Sequence, residues 1–523
     1  MRTKIPFFAV FLLFLAYMPG FGQPSIRLNE SATVPRIRFP GISQADFSDA
    51  FNVLQECLVV DEPRFGFSQP FIAPGGHYGG CWWQLDASLS LHATKWVDQR
   101  FSENMLRGFA SVQKADGRIP LYGYDAIPDY PTCSSLPKLF QAADAVLKQS
   151  TDTELKSSVY TLLKAYLDWW LSDERRDGET GLITGVFEES FPPVEKQSKA
   201  VAQVDLNVEM VVACHVVAAL ANDLGYVADH ARYASCEKQL RSAINRYMWD
   251  ARRGAYYAYR VIDKRRDNTL IAYTFDPLRM HIAPRHRVRR MIGMLTDDEY
   301  FNWSKNAVTS AARTAPIYTE TRGAYNGAPA WSGSVWTLRN MVIIQGLDDI
   351  GRFDLSAYLA LKTVRMFNHN YTEFINPTDG SGHGVQRYAW SAAQYIQILI
   401  EKIFGIDVNQ QTKTIRIRPN LDASLDGESI SLEGLMMPDG NRLTVSVDYR
   451  GDTTRVAYAI SGEYPDMNVV VGVPERSPLR VRVTDANGGR VKTKGEELPW
   501  GRVYEVTNGT QRSGDFTFVR RGK

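Results

Sequence analysis

The apolar residues of this chain change their period once, near residue 410, and that change limits the fold more than any other feature. From about His77 to Ile406 they recur at helical spacing. Leu155, Val159, Leu162, Tyr166 and Trp169 form one such stripe, opened by Thr151 and Glu154 as a capping box. Val208, Val212, His215, Ala219 and Leu220 form another, with Gly225 at a C-cap position. Ser332 to Gly351 and Trp390 to Gly405 read the same way. From about Gln411 the period becomes two, as in Thr414-Ile-Arg-Ile-Arg and Leu443-Thr-Val-Ser-Val-Asp-Tyr. Helical hairpins followed by an all-β tail are two separate layer architectures. The expected division is therefore a leader at 1–22, an irregular segment at 23–75, a helical domain at 76–408 and a compact β-sandwich at 409–523.

The leader expectation rests on chemistry at the start of the chain. Arg2 and Lys4 supply positive charge, Phe7 to Met18 carries none, and Gly20-Phe21-Gly22 offers a small-x-small cleavage site. The apolar run is too short to span a bilayer. No Cys precedes Cys57, which argues against a lipid anchor at the junction. An exported protein, periplasmic or secreted, with no membrane span is expected. Lys and Arg number 60 against 58 Asp and Glu, a balance that gives no field suited to nucleic acid. The five cysteines, Cys57, Cys81, Cys133, Cys214 and Cys236, form no C-x-x-C and no zinc spacing. A Cys214–Cys236 disulfide and buried free thiols both fit that set. No metal and no cofactor is expected, and no phosphate loop or dinucleotide fingerprint occurs. The oligomeric state stays open.

The chemistry concentrates between Phe367 and Trp390. There a single carboxylate, Glu373, sits among aromatics, amides and the turn formers Asn376-Pro377 and Asp379-Gly380. A lone acid among stacking and hydrogen-bonding groups reads as half of a carbohydrate site. A solvated loop glutamate is the bland alternative. The second half is sought in Phe187-Glu188-Glu189-Ser190-Phe191, where two adjacent carboxylates repel and flanking rings desolvate them. One of the two should then have a raised pKa. Glu189 is the first candidate for that acid and Glu188 the close rival, because neighbours in an extended loop point opposite ways. Asp205 comes third, since its place before an apolar run suits an N-cap.

Several segments, taken in order, resemble the inverting (α/α)6-barrel glycosidases of glycoside hydrolase families 63 and 37, the processing α-glucosidase and trehalase families. Trp82-Trp83-Gln-Leu-Asp86 with Gln113-Lys-Ala-Asp-Gly-Arg-Ile-Pro120 is similar to the entry motifs of those families. Tyr166-Leu-Asp-Trp-Trp170 with Asp177-Gly-Glu-Thr-Gly-Leu182 resembles the approach to their acid loop. Val204-Asp205-Leu-Asn207 and Met248-Trp-Asp-Ala-Arg-Arg-Gly-Ala-Tyr-Tyr257 match two further landmarks. Trp331-Ser-Gly-Ser-Val-Trp336, ending in Asn340, and Glu373-Phe-Ile-Asn-Pro-Thr-Asp-Gly380 complete the series. The likeness spans about 77–405. It departs where the families carry Glu-Ser-Gly-x-Asp with the Asp as general acid, because Pro193 falls at that Asp, and Ser332 replaces an Arg.

The resemblance implies a mainly α fold, an (α/α)6 barrel with a C-terminal antiparallel β-sandwich. It also implies hydrolysis of an α-glycosidic bond of an oligosaccharide or glycoside with inversion, an α-glucoside first and an α-mannoside or α-rhamnoside as alternatives. Such catalysis needs two carboxylates about 6.5–9.5 Å apart, one of them protonated. Glu373 is the expected base, with Asn376 helping to hold it ionised, and Glu189 the expected acid. Trp83, Asp86, Asp205, Asn207, Arg322, Trp331, Trp336, Tyr388 and Trp390 are expected around the sugar, by aromatic stacking and paired hydroxyl contacts. For each Trp the bland reading is packing between helices, and for Arg322 a surface ion pair. His77 and His369 are candidate pocket residues or structural loop histidines. A polysaccharide lyase, working through His77, His369, Tyr371 and Arg322, is the rival enzyme class. A non-catalytic glycan-binding protein is the third reading.

Overall fold

The computed structural model describes residues 26–124, 129–190, 200–320, 332–463, 466–476 and 480–521. Two kinds of helix build the first part. In α2 (Gln84–Thr94) every residue is buried, and α6 (Val204–Asp223) is buried on almost all sides. By contrast α3 (Gln99–Val112) buries one stripe, Phe101, Ser102, Met105, Leu106, Gly108, Phe109 and Val112. A helix apolar all round belongs inside, and one with a stripe belongs on a surface. The most deeply buried elements accordingly form an inner ring. It runs α2, α4 (Leu139–Gln149), α6, the 3-10 segment Ala272–His281, Thr337–Ile350 and Ala389–Gln397, which packs back on α2. Outer helices α1 (Gln44–Glu56), α3, α5 (Thr153–Trp170), α7 (Val227–Ala243), α8 (Arg285–Leu295) and Phe353–Phe367 return the chain between inner elements. This is the (α/α)6 barrel. Because an outer helix separates each pair of inner ones, the inner elements run in the same direction and their N-termini gather at one end.

The fourth inner element is not an α-helix. Pro277 removes a backbone donor within it, and Met280 turns out of helical geometry at φ 51°. Its charges are pinned centrally. Glu209 of α6, fully buried, pairs with Lys138 at 2.5 Å and with Arg279, and buried Arg339 pairs with Asp276 at 3.0 Å. Breaking one member of such a buried set is far more disruptive than its net contribution suggests.

The tail forms two sheets. One orders the strands Arg36–Arg38, Ser429–Met436, Arg442–Arg450, Thr453–Ser461, Ser513–Arg521, Arg480–Asp485 and Arg490–Val491. The other orders Ile406–Asn409, Thr414–Ile417, Asn468–Arg476, Gly501–Thr507 and Lys494–Glu497. Leu443, Val445 and Val447 point inward, with Thr444 and Ser446 between them more exposed, as the period of two requires. Pairing is antiparallel except between Thr414–Ile417 and Asn468–Arg476, which run parallel.

Three local expectations change. The described part of the segment expected to be irregular, residues 26–75, is not irregular throughout. Ser43 and Asp46 make a reciprocal capping box, and Phe47, Ala50, Phe51 and Leu54 form the buried face of α1. The strand Arg36–Arg38 also joins the C-terminal sheet, with Ile37 opposite Leu432. At the start of α5 the cap is Asp152, which accepts from the Leu155 N–H at 2.9 Å, rather than Thr151. Asp205 lies one residue inside α6, whose N-cap is Gln203. All five cysteines are free, Cys214 and Cys236 included. Among the described residues α6 alone is long and apolar enough to cross a membrane, and 89% of its apolar window is buried inside the protein. The proposed leader lies outside the described residues.

Candidate active site

The candidate site lies where the inner N-termini converge. Trp83 is the residue before α2 and Asp86 is in its first turn. Tyr388 directly precedes Ala389–Gln397, Glu373 lies in the loop leading to that helix, and Glu188 lies in the loop leading to α6. Helix N-termini carry partial positive charge, which suits a cluster of acids.

Glu373 is held by a short hairpin, Phe374–Ile375 against Gly382–His383. Its N–H donates to the Val385 carbonyl at 2.8 Å, and the Val385 N–H donates to Glu373 Oε2 at 3.0 Å. Gly384 permits this clasp. It sits at φ +73°, and a Cβ there would stand 2.3 Å from Glu373 Oε2. Ile375 exchanges two backbone hydrogen bonds with Val335, of 2.8 and 3.0 Å, tying the hairpin to the entry of Thr337–Ile350. Behind it Trp336 stacks on Phe374 at 4.8 Å, and Trp390 meets Trp336 edge-on at 5.5 Å. Trp336 is 0% and Trp390 2% exposed, so both brace the hairpin from the core rather than offer a face to a sugar. Asn376 is also committed elsewhere. Its amide donates to the Glu320 carbonyl at 3.1 Å, and its oxygen accepts the Thr378 N–H at 2.8 Å.

The adjacent acids Glu188 and Glu189 part company. Glu189 is fully buried and both of its oxygens are occupied. One accepts the Ser134 N–H at 2.8 Å, and the other accepts the Val186 N–H at 2.6 Å and pairs with Arg175 at 2.6 Å. The Arg175 guanidinium is itself wedged against Trp169 and Trp170, at 4.6 and 4.5 Å. Burial raises the Glu189 carboxyl, and Arg175 with the two N–H groups opposes that rise. Glu188 instead accepts a hydrogen bond from Trp83 and interacts with Glu373, while its backbone carbonyl is fixed by the Leu136 N–H at 3.0 Å.

Three carboxyls thus share one charge environment. Burial pushes Glu188 up to about 7, countered by Trp83 and reinforced by the negative charge of Glu373. Burial pushes Glu373 up to about 7, countered by the Val385 N–H. Asp86 is pushed up to about 8, by burial first and also by Glu188 and Glu373, against the Tyr388 hydroxyl donating to it. Asp86 Oδ1 is buried and has no hydrogen-bond partner among the described residues. Perturbed groups of this kind, gathered at one end of the barrel, mark functional sites.

The remaining expected residues divide. Asp205 Oδ1 accepts the Ser190 hydroxyl at 2.7 Å and the Leu206 N–H at 2.9 Å. The Asn207 amide bonds both backbone groups of Ile183 and the Gln203 carbonyl. These two lash the acid loop to α6 and are saturated in doing so. His369 pairs with Asp46 at 2.7 Å and Tyr371 donates to the Asp46 carbonyl at 2.8 Å, so this half of the lyase set is spent on the α1 cap. His77 is exposed beside Tyr78, with ring centres 3.9 Å apart. Arg322, Trp331, Phe191 and Pro193 lie outside the described residues. Among the described residues no group of His, Cys, Asp and Glu is arranged to hold a metal ion.

Sequence reasoning passed over an aromatic wall next to Glu188. Trp83 and Tyr122 pair across a two-residue ladder, and Trp83 contacts Tyr78, Tyr122 and Tyr124 at 4.8, 4.8 and 5.3 Å. The available signal was Tyr122-Gly-Tyr124, following the Ile119-Pro120 that closes a family motif.

Residues 189–391 match the family model described as a mannosylglycerate hydrolase MGH1-like glycoside hydrolase domain. A curated mannosylglycerate hydrolase from Rubrobacter radiotolerans is 26% identical over 186 residues, 35% of this chain and 40% of that protein's length. This chain thus spans less than half of that relative. The solved structure of a GH63 mannosylglycerate hydrolase from Thermus thermophilus, in complex with Tris and D-glycerate, superposes with a TM-score of 0.56 at 17% identity. That superposition covers 67% of this chain and 99% of that one. Neutral trehalase from Saccharomyces cerevisiae superposes with a TM-score of 0.50 at 16% identity, covering 64% of this chain and 74% of that one. With the closed ring, these likenesses show that the chain shares the (α/α)6-barrel fold of those enzymes and that residues 189–391 resemble a mannosylglycerate hydrolase MGH1-like glycoside hydrolase domain.

Proposed function

We propose that the chain hydrolyses a glycoside with inversion, using Glu188 as general acid and Glu373 as general base. The observation that carries this reading is electrostatic. Two carboxyls on separate loops at one end of the barrel are each pushed up to about 7 by burial, and Glu373 raises Glu188 further through its charge. When Glu373 is ionised its field helps Glu188 keep its proton, which is the protonation state an inverting pair needs. Glu373 takes the basic role because the Val385 N–H favours its ionised form and its negative charge raises Glu188, whereas Glu188 is not among the groups that raise Glu373. In the reaction, Glu373 removes a proton from water as that water bonds to the anomeric carbon. The bond from that carbon to the leaving oxygen breaks, and the Glu188 proton passes to that oxygen.

Glu189, the acid expected from the sequence, fits this role poorly because both of its oxygens already hold donors. Asp86, with one oxygen toward Tyr388 and the other unpartnered, suits a pair of sugar hydroxyls. An α-mannoside moves ahead of an α-glucoside or α-rhamnoside, because the matching family model and the curated relative are named for a mannosyl compound. Export through a cleaved leader at 1–22 is part of the same proposal. A panel of α-mannosides, α-glucosides and α-rhamnosides tests it. Release of reducing sugar with no ultraviolet-absorbing product supports the hydrolase. An unsaturated product would favour a lyase, and binding without cleavage a glycan-binding protein.

A further inference from the structure

The general acid of a glycosidase stands against the oxygen of the leaving group, so the side chains around it are those that meet the aglycone. Besides Asp86 and Cys133, the side chains near Glu188 on one side are aromatic. Trp83 donates its indole N–H to Glu188, and Tyr78 and Tyr122 both lie within reach of the Glu188 charge. Trp83 (8% exposed) and Tyr122 (4%) form the buried back of this wall, while Tyr78 and Tyr124 are partly exposed at its front. The two front rings meet at 6.2 Å and 74°. Val186 and Phe65, also partly buried, pack against the same cluster. Among the described residues no cation contributes to the charge balance of Glu188 or Glu373.

From this we infer that the leaving-group subsite selects an uncharged ring, a second sugar or an aryl group, over a small carboxylate-bearing aglycone. The inference rests on Glu188 being the acid. Pyranose C–H faces and aryl rings gain contact with Tyr78 and Tyr124, and the ring edges stay in water. A carboxylate placed there would meet the negative charge of the ionised Glu373 and gain no ion pair from the aromatic side chains of the wall, so its approach is disfavoured.

The test compares kcat/KM on α-mannobiose, aryl α-mannoside, α-mannosylglycerate and α-mannosyl fluoride, with the α-glucosyl series run alongside. Fluoride has almost no aglycone and serves as the internal reference. The wild type is expected to prefer the disaccharide or aryl glycoside to the glycerate glycoside by at least about tenfold, a preference set by one or two lost stacking contacts. Tyr124→Ala and Tyr78→Ala are each expected to lower the disaccharide-to-fluoride ratio about 2- to 12-fold, the effect of one aromatic contact. Tyr124→Phe, which keeps the ring, is expected to hold that ratio. A preference for the glycerate glycoside, or ratios unchanged in both alanine variants, would overturn the inference while leaving the hydrolase reading intact. Failure to cleave any member, fluoride included, would overturn both.

Discussion

Exchanging the two neighbouring glutamates for glutamine, one at a time, separates chemistry from scaffold. In Glu188→Gln the group that gives up a proton is lost, while a near-isosteric side chain remains to accept from Trp83. General acid catalysis contributes about 10²- to 10⁴-fold, or about 3–5 kcal/mol of barrier. With Glu188 near 7, most of that acid is protonated at pH 6. Glu188→Gln should therefore lose about 10³-fold in kcat/KM on an alkyl glycoside or disaccharide, whose leaving oxygen needs the proton. On a glycosyl fluoride or dinitrophenyl glycoside, whose leaving group departs unaided, the loss should stay within about tenfold. Glu189→Gln should show the opposite character. It strips the buried Arg175 of its counter-charge, and breaking a buried pair costs about 3–5 kcal/mol of stability. Less folded protein should be recovered, but activity per folded molecule should fall by the same factor on good and poor leaving groups. Steady-state kinetics on both substrate types, normalised to folded protein by circular dichroism, decide the matter. A leaving-group-dependent loss in Glu189→Gln, or a uniform loss in Glu188→Gln, would refute the assignment.

Further outcomes follow from the same geometry. The pH profile of kcat/KM should be a narrow bell centred near 7, because Glu188 and Glu373 titrate as a coupled pair around that value. Glu188→Gln should remove the alkaline limb, measured on a fluoride substrate. Stability should carry the opposite imprint. Glu373 is raised from 4.5 to about 7 on folding, so the folded state holds its proton more tightly and stability is lost as pH rises from about 4.5 through 7. Glu373→Gln removes that loss. The full effect is about 3 kcal/mol, reduced to about 1–2 by partial exposure and coupling, so the melting temperature should rise at pH 8 and not at pH 4. Gly384→Ala should cut kcat at least about tenfold with a modest loss of stability, because its Cβ would displace Glu373 Oε2 and its φ is left-handed. Parallel kinetics and thermal melts would show whether these two effects separate.

The architecture was legible because it rests on periodicity. The change from a period near 3.6 to a period of two separates the ring from the sheets, and Gly225 and Gly351 take left-handed positions where the helices end. Glu373 was legible because Asn-Pro and Asp-Gly announce a loop around it. The division between Glu188 and Glu189 was not. The two share one local sequence, and their fates are set by Arg175, Ser134 and Trp83, which only the fold brings near. The tryptophans show the same limit. Trp83 stands beside the acid and Trp336 is buried behind the base, and no local pattern distinguishes them. Helix α1 went unseen for a different reason. Its capping box, Ser43 with Asp46, is an ordinary signal, but the surrounding Pro-, Phe- and Gln-rich segment masks the amphipathic stripe.

Inversion requires two carboxyls acting from opposite faces of the sugar. Proton NMR of an α-glycoside substrate during the first minutes of turnover, before mutarotation, reads this directly. The β-anomer should appear first, because Glu373 delivers water to the face opposite the leaving group. First appearance of the α-anomer would contradict it, since retention requires a carboxylate to bond to the anomeric carbon.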